Sequence, residues 1–162
     1  MKIKLASVKS SELTKKQKRI IYLLKDTYWK FGIRSQEIWF KKNIAKNDLH
    51  NLLYINEVLI GYTVLRKKFY KNKLKKKIPF LIFDTLIVKK QFRLKKISNL
   101  LMNFNNIIMM NNNCLVFLVC KKKLKNFYEK FGWRLAKYKE CLTFNNNSST
   151  NICMVFNGKK NK

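Results

Sequence analysis

The sequence predicts an α/β fold, a mixed sheet with helices packed on it, and three observations predict it. Short apolar runs rich in β-formers recur at Leu53–Ile55, Val58–Leu65, Ile78–Val88 and Leu115–Val119. Between and around them, apolar residues recur at helical spacing from Ile20 to Phe31 and from Ile97 to Ile108. The chain has 162 residues, 47% of them hydrophobic, which suits one core, and neither an internal repeat nor a long linker divides it.

Lys2 to Val8 alternates charged residues with Ile3 and Leu5, as a half-buried strand does. Thr14 and Gln17 have capping-box spacing, and Ile20, Ile21, Leu23, Leu24, Tyr28 and Phe31 continue a helical face until Gly32. Ser35 caps a second short helix with Ile38, Trp39 and Phe40. A hairpin follows from Leu52 to Phe69, turning at Asn56 and Glu57, with Gly61 marking a bulge or a close backbone approach. The basic run Lys67 to Lys77 reads as an exposed connection, and Ile78 to Val88 as a central strand broken by Asp84 and Thr85. Gln91 to Lys95 makes a basic loop before a long helix with Ile97, Leu100, Leu101 and Phe104. Leu115 to Val119 is a strand, and Leu124 to Phe131 a short helix ended by Gly132. A strand from Trp133, an Asn/Ser-rich loop at Asn145 to Asn151 and a last strand at Ile152 to Phe156 complete the order β, α, α, β, β, β, α, β, α, β, β. Residues 1–158 form the expected domain, and the Lys159 to Lys162 tail is expected to fray.

Lys and Arg number 37 against 8 Asp and Glu, a formal net charge of +29. Such a balance points to polyanionic partners, but it accompanies many Asn, Ile and Phe and few Gly and Pro, the bias of an AT-rich coding sequence. Charge alone therefore selects no function. Cys114, Cys120, Cys141 and Cys153 form no C-x-x-C pair, and with one His in the chain no metal site is expected. They read as free thiols of a reducing compartment. Met1 to Val8 lacks the apolar core of a signal peptide and no apolar stretch reaches a bilayer span, so a cytoplasmic protein without a membrane span is expected.

Two segments bear on chemistry. In the first, the strand Leu86, Ile87, Val88 runs through Arg93, Leu94, Lys95 and Lys96 into a helix that begins with Ile97 and Ser98. A helix start offers unpaired N–H groups and a positive dipole end, so the basic loop before it is a phosphate cradle in waiting. In a chain full of Lys the bland reading is solvated surface charge. The second segment is Leu124 to Trp133, with Phe127, Tyr128, Gly132 and Trp133 in sequence. Together they resemble the GNAT superfamily of N-acyltransferases: the first its acyl-CoA-binding loop Q/R-x-x-G-x-G/A, the second its F-Y-x-x-x-G-F/W signature. Thr14 to Gln17, the Glu57 to Tyr62 hairpin and an acid at Asp84 ahead of Val88 are more distantly similar to aminoglycoside 2'-N-acetyltransferases and nodulation N-acyltransferases. An electronegative pocket for a polycationic aminoglycoside is hard to build from eight acids.

The resemblance implies a single-domain GNAT-like fold with a mixed, mostly antiparallel sheet, acetyl-CoA or another acyl-CoA as co-substrate, and a primary amine as acceptor. It places acyl-CoA along Leu86, Ile87 and Val88, with pyrophosphate at Arg93, Leu94, Lys95, Lys96, Ile97 and Ser98. Lys96 stands where the family has its loop glycine and Ser98 where it has Gly or Ala. A lysine fits there if its φ is negative and its side chain turns outward to phosphate.

Tyr128 matches the helix tyrosine that protonates the departing thiolate. A phenol of pKa about 10 is chemically suited to that role, although spacing alone reads Tyr128 as core. Asp84 matches an acidic residue that some members use to draw a proton from the amine. As one acid among Ile82, Phe83, Leu86 and Ile87, four residues before Val88 and thus on its face, it is expected to be buried and basic, or else to sit at an edge or pair with a Lys. His50 at a strand start reads as a surface residue, and Cys120 as a buried free thiol. Trp29, Phe31 and Trp39 read as core, although the resemblance puts an acceptor site nearby.

Two other readings compete. A basic nucleic-acid-binding or degenerate non-catalytic copy of the fold has no RNA-binding signature behind it, and most aromatics fall on apolar faces, so nucleic acid is not the expected partner. An acidic acyl carrier protein as donor would suit the basic surface, and a homodimer stays open.

Overall fold

The computed structural model describes residues 2–71, 74–137, 140 and 150–157, without the side chains of Leu94 and Lys95. Cys141, the Asn145 to Asn151 loop up to residue 149 and the Lys159 to Lys162 tail lie outside the described residues. In chain order the elements are β1 (Ile3–Lys9), α1 (Lys15–Asp26), α2 (Ile33–Asn43), β2 (Leu49–Ile55), β3 (Val58–Lys71) and β4 (Lys77–Val88). A 3-10 helix (Lys90–Lys95) leads to α3 (Ile97–Asn111), β5 (Leu115–Lys121), α4 (Lys125–Glu129), β6 (Trp133–Leu135) and β7 (Asn151–Phe156). The strands form a seven-stranded sheet in the order β1-β2-β3-β4-β5-β7-β6. Pairing is antiparallel for β1 with β2, β2 with β3, β5 with β7 and β6 with β7, and parallel for β4 with β5. The sheet is therefore mixed, as the element order predicts, and mostly antiparallel, as the resemblance implies.

The chain divides into two compact units, Met1–Arg66 with Asp84–Asn105 and Lys67–Phe83 with Asn106–Lys162. In the first, α1 begins as its sequence dictates: the Gln17 N–H donates to Thr14 Oγ1 (3.1 Å) and the Thr14 N–H to Gln17 Oε1 (2.9 Å). It ends at Asp26, short of Gly32, so Tyr28 and Phe31 lie beyond the helix and are exposed. Gly32, at φ 82, instead precedes α2, which starts at Ile33 and takes Ser35 into its first turn. Asn56 and Glu57, both at positive φ, make the tight turn whose twist suits a hairpin.

Gly61 fulfils both expectations. Its pairing partner is Leu53 while Tyr54 pairs with Leu59, so Ile60 is the extra residue of a bulge. A Cβ on Gly61 would sit 3.2 Å from Leu101 of α3, which explains why α3 can lie so close. Two apolar clusters result. Ile21, Leu24, Phe40, Leu52, Tyr62, Val64 and Ile87 gather with α1 and α2; Leu53, Ile60, Val88, Ile97 and Leu101 gather with α3. In the second unit Phe80, Phe117, Cys153 and Val155 form the core. The Lys67 to Lys77 run is a hairpin rather than a connection, because β3 continues to Lys71 and β4 opens at Lys77. Alternation explains this: Lys67, Phe69 and Lys71 point outward and Arg66, Lys68 and Tyr70 are half-buried.

Candidate active site

The end of β4 departs from a regular strand. Thr85 has φ 58, a conformation that a β-branched residue rarely adopts, and this single residue resets the alternation that follows it. Leu86 and Val88 pack with α3, whereas Ile87 packs with α1 and α2. Asp84 lines a cavity with Lys25, Trp29 and Trp39 of that same α1/α2 side. Period-two counting put Asp84 on the face of Val88; the kink at Thr85 moves it to the face of Ile87.

Nor is Asp84 the lone buried acid that its apolar neighbours suggest. Its carboxylate accepts from Arg66 Nη1 (2.8 Å) and from Thr85 Oγ1 (3.2 Å), and its side chain is 29% exposed. Tyr62, Val64 and Arg66 share one face of β3, which is how the arginine reaches that side of the sheet. The expected Lys partner is an Arg.

Past Val88, the Lys89 N–H donates to the Ile60 carbonyl (2.8 Å), and the 3-10 turn closes with the Phe92 N–H on Lys89 O. Gln91 to Lys95 is thus ordered helical chain where a loop was expected. Arg93 folds back so that its Nε donates to Val88 O (2.9 Å), with its guanidinium 5.5 Å from the Tyr28 ring. Lys96 then adopts φ 54 and ψ 15, the left-handed conformation. The negative φ that would have made lysine acceptable in the glycine position is not what forms: the backbone keeps the glycine-like shape and the lysine tolerates it, at about 1 kcal/mol. The Lys96 carbonyl accepts from Asn99 and Leu100, opening α3. Val88, Ile97 and Leu101 pack together and so bring strand end and helix start to one place, with Ser98 in the first turn.

The cavity beside Asp84 measures about 620 Å³ and is lined by Lys25, Trp29, Phe31, Ser35, Gln36, Trp39, Asp84 and Thr85. Trp29 and Trp39 join the core only in part, and Phe31, expected in the core, is 71% exposed at this cavity. Gln36 donates to the Trp29 carbonyl (2.8 Å) and fixes that wall. Lys25 is 4% exposed, with Nζ 3.4 Å from the centroid of the Trp39 ring. Among the described residues Nζ has neither a hydrogen-bond acceptor nor an ion-pair partner. A desolvated cation–π contact contributes about 2 kcal/mol, whereas burying an ammonium ion costs several, so the ring offsets only part of the penalty. Burial accordingly lowers the Lys25 pKa to about 8, against the pull of Asp84 and with the push of Arg66.

His50, expected at the surface, is fully buried. Its Nε2 lies 2.7 Å from Ser10 Oγ and its Nδ1 2.8 Å from Tyr62 Oη, and Ser10 Oγ donates to the Asp48 carbonyl (3.3 Å). A one-way chain satisfies every member: Tyr62 O–H to Nδ1, Nε2–H to Ser10, Ser10 O–H to Asp48. The ring stacks on Phe40 and Tyr62, and burial, followed by Lys18 and Lys25, lowers its pKa to about 4.

Tyr128 belongs to the second unit. It is 7% exposed among Phe83, Phe127 and Trp133, with ring centroids 5.1–6.3 Å away. Cys120 is a buried free thiol, as expected, and burial raises its pKa.

Sequence reasoning missed Lys25, Arg66 and the kink at Thr85. Lys25 had a signal, since it lies four residues after Ile21 on the apolar face of α1. Arg66 and Asp84 are opposite charges on successive strands. Nothing in the sequence marks the φ of Thr85.

No protein-family model and no curated protein matches the chain. Solved structures do. ElaA of Escherichia coli superposes with a TM-score of 0.69 at 19% identity, over 96% of this chain and 99% of that one. An acyl-CoA N-acyltransferase from Pseudomonas aeruginosa gives 0.70 at 12% identity over the same shares. The PaiA N-acetyltransferase from Thermoplasma acidophilum, in complex with coenzyme A, gives 0.62 at 16% identity, again over 96% and 99%. At these identities the likeness is one of fold, and the chain has the GNAT fold. Among the described residues no helix is long and apolar enough to cross a membrane.

Proposed function

We propose that this chain is an acyl-CoA-dependent N-acyltransferase, transferring an acyl group, acetyl in the simplest case, to a primary amine by direct attack. Lys96 is the observation that carries this reading. The loop between β4 and α3 keeps the left-handed turn of a phosphate-binding glycine even though a lysine occupies it. Acyl-CoA lies along Leu86, Ile87 and Val88, with its pyrophosphate over the Ile97 and Ser98 end of α3 and among Arg93, Leu94, Lys95 and Lys96. The amine nitrogen attacks the thioester carbonyl, which the Val88 N–H polarises. Asp84, held by Arg66, accepts the proton the amine loses, through water; the C–S bond breaks, and Tyr128 supplies a proton to the thiolate. Free thiols at Cys114, Cys120 and Cys153 suit a cytoplasmic setting.

The test is thermal. A ligand that binds only the folded state at a hundredfold excess over Kd stabilises it by about 2.7 kcal/mol, so acetyl-CoA or a longer thioester raises Tm by several degrees. No shift with acetyl-CoA, CoA or longer thioesters at millimolar concentration contradicts the proposal. A shift confined to an acylated carrier protein, and abolished by salt, moves the donor to that class.

A further inference from the structure

The amine acceptor is the unassigned half of this reaction, and the cavity beside Asp84 constrains it. Three features bear on its chemistry. Its walls are aromatic, with Trp29 and Trp39 facing a space of about 620 Å³, which is the size of a small-molecule site. Its one carboxylate, Asp84, is already held by Arg66. Its ammonium group belongs to Lys25, a residue 4% exposed, and Nζ lies over an indole face with no hydrogen bond or ion pair to any described residue.

Among the described residues Lys25 Nζ has no hydrogen-bonded or ion-paired anion, Asp84 acting on it only at a distance, and an anion carried by a ligand would complete the arrangement. A polyamine or an aminoglycoside cannot complete it, because such ligands bring more positive charge to a place that already holds Lys25 and Arg66 against one acid. A plain hydrophobic amine fills the aromatic walls but leaves Lys25 unpaired. A molecule that carries its own anionic group together with an apolar or aromatic body meets both demands, and its amine is then free to approach Asp84.

We infer that the acceptor is a small amine bearing an apolar or aromatic group and a carboxylate, and that Lys25 is the counter-ion of that carboxylate. The inference rests on the acyltransferase reading for its reaction, but the binding it describes stands on the cavity alone. The bond to Lys25 is a charge-assisted hydrogen bond, the kind that discriminates against a ligand lacking the charge.

The experiment is a calorimetric titration of the whole chain with L-phenylalanine, L-phenylalaninamide and phenethylamine. L-phenylalanine is expected to bind at least tenfold more tightly than the other two, which keep the ring and the amine but lose the carboxylate. Lys25→Met should bring the three within about twofold of each other, and Lys25→Gln should do the same. Both variants are to be checked for an unchanged thermal shift with acetyl-CoA, which a general loss of structure would not leave intact. Equal or reversed preference in the parent overturns the inference, as does a preference that survives Lys25→Met, or no saturable binding of L-phenylalanine at millimolar concentration. If acetyl-CoA gives no shift while the Lys25-dependent preference holds, the acyltransferase reading fails and the carboxylate site remains.

Discussion

His50 and Lys25 are both buried next to α1 and α2, and the fold treats them in opposite ways. Each ring nitrogen of His50 has a partner, and the donor chain from Tyr62 through Ser10 to Asp48 leaves nothing to add. Lys25 has a ring beneath it and a cavity in front. Both have lowered pKa values for the same first cause, burial, so the shift does not distinguish them. Partner satisfaction does. A buried polar group with all its bonds made serves the fold, whereas one left incomplete beside an open cavity marks the place where a ligand is needed.

The contrast breaks most directly at His50. His50→Leu removes the middle of the chain and strands the buried hydroxyl of Tyr62, so a loss of about 2–4 kcal/mol is expected in urea unfolding, with the thermal response to acetyl-CoA retained. Acid should reveal the same residue in the parent. Its folded pKa of about 4 lies below the unfolded value of 6.5, so the stability it contributes is present above pH 6.5 and is lost as pH falls to about 4. That loss amounts to about 3 kcal/mol, and His50→Leu should be missing this part of the slope.

Lys25 should behave the other way. Lys25→Met replaces an unpaired buried ammonium by an apolar chain of similar length, so unfolding free energy at pH 7 should rise by about 1–3 kcal/mol. A fall instead would mean that Lys25 is structurally satisfied, and the contrast with His50 would collapse. The parent should also gain stability as pH rises from about 8 toward 10.5, where the folded lysine is neutral and the unfolded one still charged; Lys25→Met should lack that gain.

The smallest effect is expected at Lys96. Lys96→Gly relieves a left-handed lysine, which favours the folded state by about 1 kcal/mol, while the looser unfolded chain returns most of that. Tm should therefore move little or rise slightly, and CoA affinity should hold. A large drop in CoA affinity would show that the Lys96 side chain itself holds phosphate.

Much of the fold was legible because its signals are local and periodic. The Thr14–Gln17 box, the Asn56–Glu57 turn and the helical run from Ile97 each depend on neighbours within a few residues. The misreadings share a different character. The β3–β4 hairpin was hidden because Lys-rich strand and Lys-rich loop look alike when only one face is half-buried. Asp84 was put on the wrong face because alternation assumes an unbroken strand, and the φ of Thr85 has no sequence mark. His50 was taken for a surface residue because its two hydrogen-bond partners, Ser10 and Tyr62, lie far from it in sequence, as Ser10 does from the Asp48 carbonyl to which it donates. The loop at Lys96 was visible as a motif, but its left-handed backbone was not.

The central claim is acyl transfer, and Tyr128→Phe tests it most directly. The substitution keeps the ring among Phe83, Phe127 and Trp133 and removes the proton proposed for the thiolate. With CoA release followed as free thiol, using an amino carboxylate as acceptor, kcat should fall about a hundredfold to ten-thousandfold while CoA affinity and Tm stay within error of the parent. Unchanged kcat in Tyr128→Phe would contradict the assigned role, and a parent that releases no CoA with any amine would contradict the claim itself.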